Sequence, residues 1–381
     1  MKRKITADRI FDGYGFIKNK VLIVSENGTI EDIVNIKDAG EDIEKHEGIL
    51  SPGFINCHCH LELSHMKGRI PEKTGLVDFV FRVVTERHHS EEEIMNAIEK
   101  AENEMLQGGI VAIGDICNND LAFKQKKKNL LRYYNFIEAS GWLPQISDQR
   151  FNRALDLYGK YSELDHHVAI VPHAPYSVSN NLWQQIQPYF KDKVVSIHNQ
   201  ETKHEDDFFK WGRGDFIRMY ELMKLDNSHH QPTGKSSLQS YYNKLKPARN
   251  ALLVHNTFTS TDDIRFVNNE VDGPNPFFCL CINANLYIED QLPPVTKLRK
   301  LTDNIVLGTD SLASNHSLNI MDEIVSIKKH FSAMKDAELL RWATLNGAKA
   351  LDMDNELGSF QKGKRPGVVK ITEMKYAKRI I

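Results

Sequence analysis

The sequence predicts an α/β protein: a (β/α)8 TIM-type barrel with a small composite β-sandwich domain built from both chain termini. Three observations carry that expectation. Eight apolar runs, each bounded by turn residues and followed by a polar stretch long enough for a helix, recur through the middle of the chain. Histidines and an aspartate stand at the C-terminal ends of these runs, the end at which such barrels carry their sites. The two ends of the chain instead alternate apolar and polar residues.

The runs are GFINCHCH (53–60), IVAIGDI (110–116), LLRYYNFIEA (130–139), HVAIVPHAP (167–175), KVVSIHNQE (193–201), ALLVHNT (251–257), PFFCLCINAN (276–285) and NIVLGTDS (304–311). Between them, SEEEIMNAIEKAENEMLQGG is the clearest helix: Ser90 caps it, Glu93 completes a capping box, and Gly108-Gly109 end it. The run Lys124 to Lys128 reads as a solvated helix face. At the ends, ITADRIFDG, KVLIVSENGTIEDIV and PGVVKITEM alternate, with Asn27-Gly28 as a hairpin turn. The expected organisation is 1–50 as the first part of the β-sandwich domain, 51–355 as the barrel and 356–381 as the strands that complete the sandwich.

With 381 residues, 41 % hydrophobic and 26 % charged, the composition is that of a globular protein and excludes disorder, collagen and coiled coil. Forty-nine basic against 51 acidic residues leave a net charge of -2, without the basic excess of a nucleic-acid or acidic-membrane binder. A small molecule is the expected partner, with no nucleic acid and no membrane. The start MKRKITADRIFDGYGF has no apolar run of about 7 to 15 residues behind its basic end, and no run of about 18 occurs, so a cytoplasmic protein is expected. Cys57, Cys59, Cys117, Cys279 and Cys281 predict buried thiols rather than a disulfide framework, and the Cys-x-Cys pairs lack zinc-knuckle spacing.

His58 and His60 are two apart on the first run, so a strand's period of two turns both to one side and Cys59 to the other. His173 ends the fourth run, His198 the fifth, His255 the sixth and Asp310 the eighth. Such groups on strands buried on both faces need pairing, hydrogen bonds or a metal. Three imidazoles and one carboxylate from this set make a mixed N/O site for one divalent metal ion, zinc first, with iron or manganese as alternatives, and leave a position open for water. Such a cation makes hydroxide available near neutral pH for attack on an sp2 carbon. Glu201, three residues beyond His198, is placed to carry the water's proton to a departing nitrogen. The fourth run has no lysine to bridge a second ion, which favours a single metal.

SPGFINCHCHLELS, HAPYSVS, SIHNQET, LLVHNT, VLGTDSLASN and ATLNGAKALDMDNELGSFQKGKRPGVV follow one another along nearly the whole chain. The first three resemble the P-G-(F/L)-(I/V)-N-x-H-x-H, H-(A/T)-P-Y-(S/T) and H-x-x-E-T segments of the amidohydrolase superfamily, in its branch of cytosine, guanine and S-adenosylhomocysteine deaminases and chlorohydrolases. The resemblance implies His58, His60, His198 and Asp310 as metal ligands and Glu201 as proton shuttle. It further implies His255 as a group that polarises the intermediate or orients the hydroxide, Asp310 as a base toward the attacking water, and His173 as a substrate contact. Nucleoside-type members hold ribose hydroxyls with a carboxylate after strand one, for which Glu62 and Glu86 are the candidates by position. Two departures stand out: the strand-seven C-P-x-S-N pattern reads Cys281-Ile282-Asn283-Ala284-Asn285, and the A-D of the C-terminal signature is Pro366-Gly367.

HLELSHMKG, TGLVDFV, WGRGDF and QPTGKSSLQSYY are similar to segments of aminofutalosine-deaminase-like members. The connection 202–250 offers Trp211, Phe216, Tyr241 and Tyr242 as walls for a ring-shaped substrate. The expectation is a metal-dependent hydrolase that deaminates an amino-substituted heterocycle, purine- or nucleoside-like, and releases ammonia. The alternatives are the same machinery on another C–N or C–Cl bond, of amidase or chlorohydrolase type, and a non-catalytic metal-binding barrel. Glu201, His255 and His173 around an open position weigh against the last. The superfamily's habit makes a homodimer the expected assembly.

Overall fold

The computed structural model describes residues 2–164 and 166–381, so Met1 of the expected 1–50 segment lies outside the described residues. Five strands come first: β1 (Arg3–Phe11), β2 (Phe16–Ile17), β3 (Lys20–Val24), β4 (Ile30–Asn35) and β5 (Ile43–Pro52). Eight more follow: β6 (Phe54–Cys59), β7 (Ile110–Cys117), β8 (Arg132–Ala139), β9 (His167–Pro172), β10 (Val194–Asn199), β11 (Asn250–His255), β12 (Asn275–Leu280) and β13 (Ile305–Leu307). The last two are β14 (Val368–Thr372) and β15 (Tyr376–Arg379).

Each of the eight apolar runs overlaps one of the strands β6 to β13, which form two four-stranded parallel sheets, β6-β7-β8-β9 and β10-β11-β12-β13. Two seams close these sheets into a barrel. At one, the His198 N–H donates to the His173 carbonyl at 2.9 Å. At the other, the Thr309 and Asp310 N–H groups both donate to the His58 carbonyl, at 3.0 and 3.1 Å. β6, β7, β10 and β11 are buried along their whole length, as strands covered on both faces must be. Gly308 is required where β13 passes β6, because a Cβ there would lie 2.9 Å from the Cβ of His58 and 2.8 Å from Cys279 Sγ.

The terminal strands form one seven-stranded sheet, ordered β15-β14-β5-β1-β3-β4 with β2 on β1. Its composite origin is as predicted, but the strands pair as one sheet rather than as the two sheets of a sandwich. The ten-residue β5 is the reason. Ile43–Leu50 runs parallel to β1, while Ile49–Pro52 pairs antiparallel with β14, so a single strand joins both termini. Ile5, Ile10, Leu22, Val24, Ile30, Leu50 and Val368 give this sheet its own small core. The β3–β4 turn forms as expected, with Gly28 at a φ of +85°.

Two local expectations change. Ser90 caps the helix Glu91–Gln107 by accepting the Glu93 N–H at 3.3 Å, but the Glu93 side chain turns to Arg69 (2.7 Å) and His89 (3.1 Å) instead of closing a box. Lys126 is fully buried rather than solvated: its Nζ lies 2.6 Å from Asp115 Oδ2 on β7, where a buried carboxylate needs a counter-charge. All five cysteines are free and buried. Among the described residues no helix is long and apolar enough to cross a membrane.

Candidate active site

The pleat of β6 brings His58 and His60 into contact, with ring centroids 4.9 Å apart, while Cys59 packs into the core. Both imidazoles reach Asp310, whose Oδ1 lies 3.5 Å from His58 Nε2 and 3.3 Å from His60 Nε2. The His198 ring comes to 4.9 Å from His58, and that of His173 to 4.8 Å from His198. Glu201 completes the group: Oε1 is 3.5 Å from His255 Nε2 and Oε2 is 3.9 Å from His198 Nδ1. Residues at or just past five strand ends thus meet over the barrel mouth. The backbone bends sharply to place them. Gln200, His255, Asn256 and Asp310, none of them glycine, have φ of +45°, +76°, +57° and +56°.

Hydrogen bonds then set the tautomers. Asn285 Nδ2–H donates to the His255 carbonyl at 3.2 Å, which leaves its Oδ1 to accept from His255 Nδ1–H at 2.8 Å. His255 Nε2 therefore accepts from His198 Nδ1–H at 3.0 Å, and the lone pair of His198 Nε2 is left without a partner. Ser177 Oγ donates to the Ala174 carbonyl and so accepts from His173 Nδ1–H at 2.7 Å. Ser314 Oγ donates to Asp310 Oδ2 at 2.5 Å.

Burial drives His198 well below the usual imidazole range, helped by the neighbouring rings of His173, His58 and His255. Burial likewise pushes His255 down to about 4 and lowers His60. Burial and then the Asp310 charge push Glu201 well above the carboxylate range. For Asp310 burial acts upward too, but the imidazoles of His58, His60 and His255 against it outweigh burial and hold the group well below that range.

His58 Nδ1 and Nε2 and His198 Nε2 are buried without hydrogen-bond partners, a state that calls for an explanation. Ligand atoms of His58, His60 and Asp310 lie within 4.8 Å of one another, as do those of His58, His198 and His255. Buried imidazole nitrogens without partners beside a carboxylate fit a divalent ion of mixed N/O preference.

His60, His173, His198, Glu201 and Asp310 border a cavity of about 320 Å³. Leu76, Phe79 and Val83 of the helix Leu76–Glu86 and Met219 and Tyr220 of the helix Asp215–Leu222 give it apolar walls. Arg87, Asn118, Glu138, Ser140 and Arg150 form a polar side.

Neither carboxylate expected after strand one lines this cavity. Glu86 is exposed and paired with Arg82 at 3.6 Å, one helical turn back, and it is the next residue, Arg87, that lines the cavity. Glu62 is buried, but its Oε2 accepts the N–H groups of Asn118 (3.0 Å) and Asn119 (3.2 Å), so it holds a loop; burial pushes it up to about 7. The aromatic wall is also displaced. Trp211 is 60 % exposed, Phe216 stacks on Tyr176 at 4.2 Å, and the hydroxyls of Tyr241 and Tyr242 bond Asn199 Oδ1 and the Pro274 carbonyl, each at 2.8 Å. Sequence reasoning missed Glu138, whose Oε2 is buried, unpartnered and 4.0 Å from His198 Nε2. Its place at the C-terminal end of the third run was the available signal.

Residues 49–376 match the family model described as Amidohydrolase family. An adenosine deaminase of Helicobacter pylori is 26 % identical over 327 residues, covering 83 % of this chain and 77 % of that relative. A 5-methylthioadenosine/S-adenosylhomocysteine deaminase of Teredinibacter turnerae is 27 % identical over 343 residues, covering 85 % and 71 %. Among solved structures, Helicobacter pylori aminofutalosine deaminase in complex with methylthio-coformycin is similar in fold, with a TM-score of 0.82 at 22 % identity over 100 % of both chains. An adenosine deaminase of Xanthomonas campestris with bound zinc has a TM-score of 0.72 at 20 % identity, covering 99 % and 89 %.

Proposed function

The chain belongs to the amidohydrolase family, and from that premise we propose that it deaminates the amino-substituted purine of a nucleoside-like substrate, releasing ammonia. The observation that carries this reading is geometric: His58 and His60 close on Asp310, buried imidazole nitrogens of His58 and His198 have no partner, and Glu201 stands beside them 3.9 Å from His198 Nδ1 at the mouth of one cavity. In this reading residues 51–355 form the catalytic barrel, with 1–50 and 356–381 as a small flanking domain.

His58, His60, His198 and Asp310 would hold one divalent ion, for which zinc suits three nitrogens and one oxygen, and such an ion makes a water reactive near neutral pH. Asp310 takes a proton from the attacking water at Oδ2, the oxygen steadied by Ser314. As the water oxygen adds to the carbon bearing the amino group, Glu201 protonates the adjacent ring nitrogen. Glu201 then regains a proton from the new hydroxyl as the carbonyl forms, and Asp310 passes its proton to the amino group, which leaves as ammonia. His255, oriented by Asn285, stabilises the charge that develops on the adding oxygen. His173, held by Ser177, contacts the ring.

The test is ammonia release by the metal-loaded protein offered adenine, guanine, cytosine, adenosine, methylthioadenosine and S-adenosylhomocysteine. Release from the nucleosides supports the reading. One bound metal per chain with silence across the panel rejects purine deamination.

A further inference from the structure

Resting on the reading of Glu201 as the proton carrier, we propose that Glu205, together with Asp206 and Asp263, is a positioning residue that aims Glu201 into the cavity by clamping Gln200. Gln200, the residue before Glu201, makes the turn out of β10. It has a φ of +45°, a conformation that a non-glycine residue keeps only where its surroundings over-determine it. Those surroundings are three carboxylates on two helices, Lys203–Trp211 and Thr261–Asn269.

Glu205 Oε1 accepts the Gln200 N–H at 2.9 Å. The Gln200 side chain donates from Nε2 to Asp206 Oδ1 and to Asp263 Oδ2, both at 3.0 Å, and its carbonyl accepts the Phe258 N–H at 2.9 Å. Two of the anchors are themselves fixed. Asp263 accepts from Ser260 Oγ at 2.6 Å and from Gln239 Nε2 at 2.8 Å, and Asp206 accepts from Lys210 Nζ at 2.8 Å. A slip of Gln200 would swing Glu201 away from His255 Nε2 and His198 Nδ1, which it meets at 3.5 and 3.9 Å. None of Gln200, Glu205, Asp206 and Asp263 lines the cavity, so they reach the reaction only through Glu201.

Glu205 serves as a hydrogen-bond acceptor rather than as a charge. It is fully buried and forms no ion pair among the described residues, and burial pushes it up to about 8. The Ser237 hydroxyl stands beside the carboxyl outside hydrogen-bonding geometry, and Oε2 has no partner. An amide nitrogen in place of Oε2 therefore breaks no bond, whereas loss of Oε1 leaves the buried Gln200 N–H without an acceptor.

The test measures ammonia release from adenosine and methylthioadenosine by metal-loaded Glu205→Met, Glu205→Gln and Gln200→Gly, each alone and combined with Glu201→Gln. Methionine keeps the length and removes the acceptor, glutamine keeps the acceptor, and glycine tolerates the turn while removing both side-chain ties. Glu205→Met should lower kcat about tenfold or more, with KM within about twofold and metal content unchanged. Glu205→Gln should hold kcat within about threefold, and Gln200→Gly should lower it about threefold or more. Combined with Glu201→Gln, each further loss should shrink to within about twofold, because the carboxyl being aimed is already gone. Hydrogen exchange at the Gln200 amide should quicken in Glu205→Met while that at Ile197 stays unchanged. Full kcat in Glu205→Met, an equal loss in Glu205→Gln, the same losses with and without Glu201→Gln, or unchanged exchange at Gln200 each overturns the proposal. Should Glu205→Met fail to fold, Gln200→Gly with and without Glu201→Gln decides the matter. Ammonia from the unaltered protein with no loss in Glu205→Met removes the clamp and leaves the deaminase reading intact. Quickened exchange at Gln200 with no ammonia from either substrate removes the deaminase reading and leaves the clamp.

Discussion

Glu201 and Asp310 share a chemical group and a degree of burial, so the opposite directions in which their pKa values move come from their neighbours. The imidazoles of His58, His60 and His255 outweigh burial at Asp310, whereas at Glu201 the charge of Asp310 adds to burial. Glu201→Gln should therefore keep one metal per chain, because no ligand is lost, and lose about 10²- to 10⁴-fold in turnover. Metal analysis beside an ammonia assay checks this, and full turnover would remove Glu201 from proton transfer. His255 gives a stability prediction. Its folded pKa of about 4 lies below the unfolded value, so the unfolded chain binds more protons across that interval. The stability it contributes is complete above the unfolded pKa of about 6.5 and is lost as pH falls toward 4, on the order of 3 kcal/mol. Urea titrations of metal-free protein at about pH 7 and about pH 4.5 should show the fall, and His255→Gln should reduce it. The histidines and Asp310 were legible as residues because imidazole or carboxylate on a fully buried run has few uses. Glu138 satisfies the same criterion and was passed over. Arg87 and Arg150 could not be found this way, because their approach depends on how a helix and a loop pack over the barrel.

At the scale of the element, a strand's period of two suffices to pair His58 with His60, since it needs no knowledge of distant residues. Lys126 shows the limit. Within Lys124 to Lys128 it looks like its exposed neighbours, but Asp115 from β7 draws it inside, and Asp115 Oδ1 in turn accepts the N–H of Leu61, the residue after His60, at 2.8 Å. Lys126→Met leaves that carboxylate buried and unpaired and should cost about 3–5 kcal/mol in chemical denaturation. Adding Asp115→Asn should restore part of the loss, since an amide oxygen still accepts from Leu61. Gly308 makes a separate point about β13. The Cβ of Gly308→Ala would crowd the Cβ of His58 at 2.9 Å, so we expect about a tenfold or greater loss of metal affinity, measured by competition with a chelator. Unchanged affinity would mean that β6 yields without moving its ligand.

For the molecule as a whole, parallel strands covered on both faces leave uninterrupted apolar runs, which is why eight strands could be read in order. The single terminal sheet could not, because β5 pairs differently along its two halves and nothing local marks the change. The backbone contacts that close the barrel were equally hidden, and they bear on the site. The two half-barrels meet where His198 N–H reaches the His173 carbonyl and where Thr309 and Asp310 N–H reach the His58 carbonyl. A metal held by His58, His60, His198 and Asp310 would therefore join β6 and β10, which lie in different half-barrels, and tie the second seam directly. Removing it should do more than abolish turnover. A ligand at a thousandfold excess over its Kd stabilises by about 4 kcal/mol, which for a chain of this length is roughly 5 °C in Tm. Chelation should lower Tm by that order, and hydrogen exchange should quicken first at the amides of His198, Thr309 and Asp310, ahead of those in the middle of β7 and β12. A uniform increase across all eight strands would instead mean that the metal stabilises the barrel without acting as a clamp on its seams.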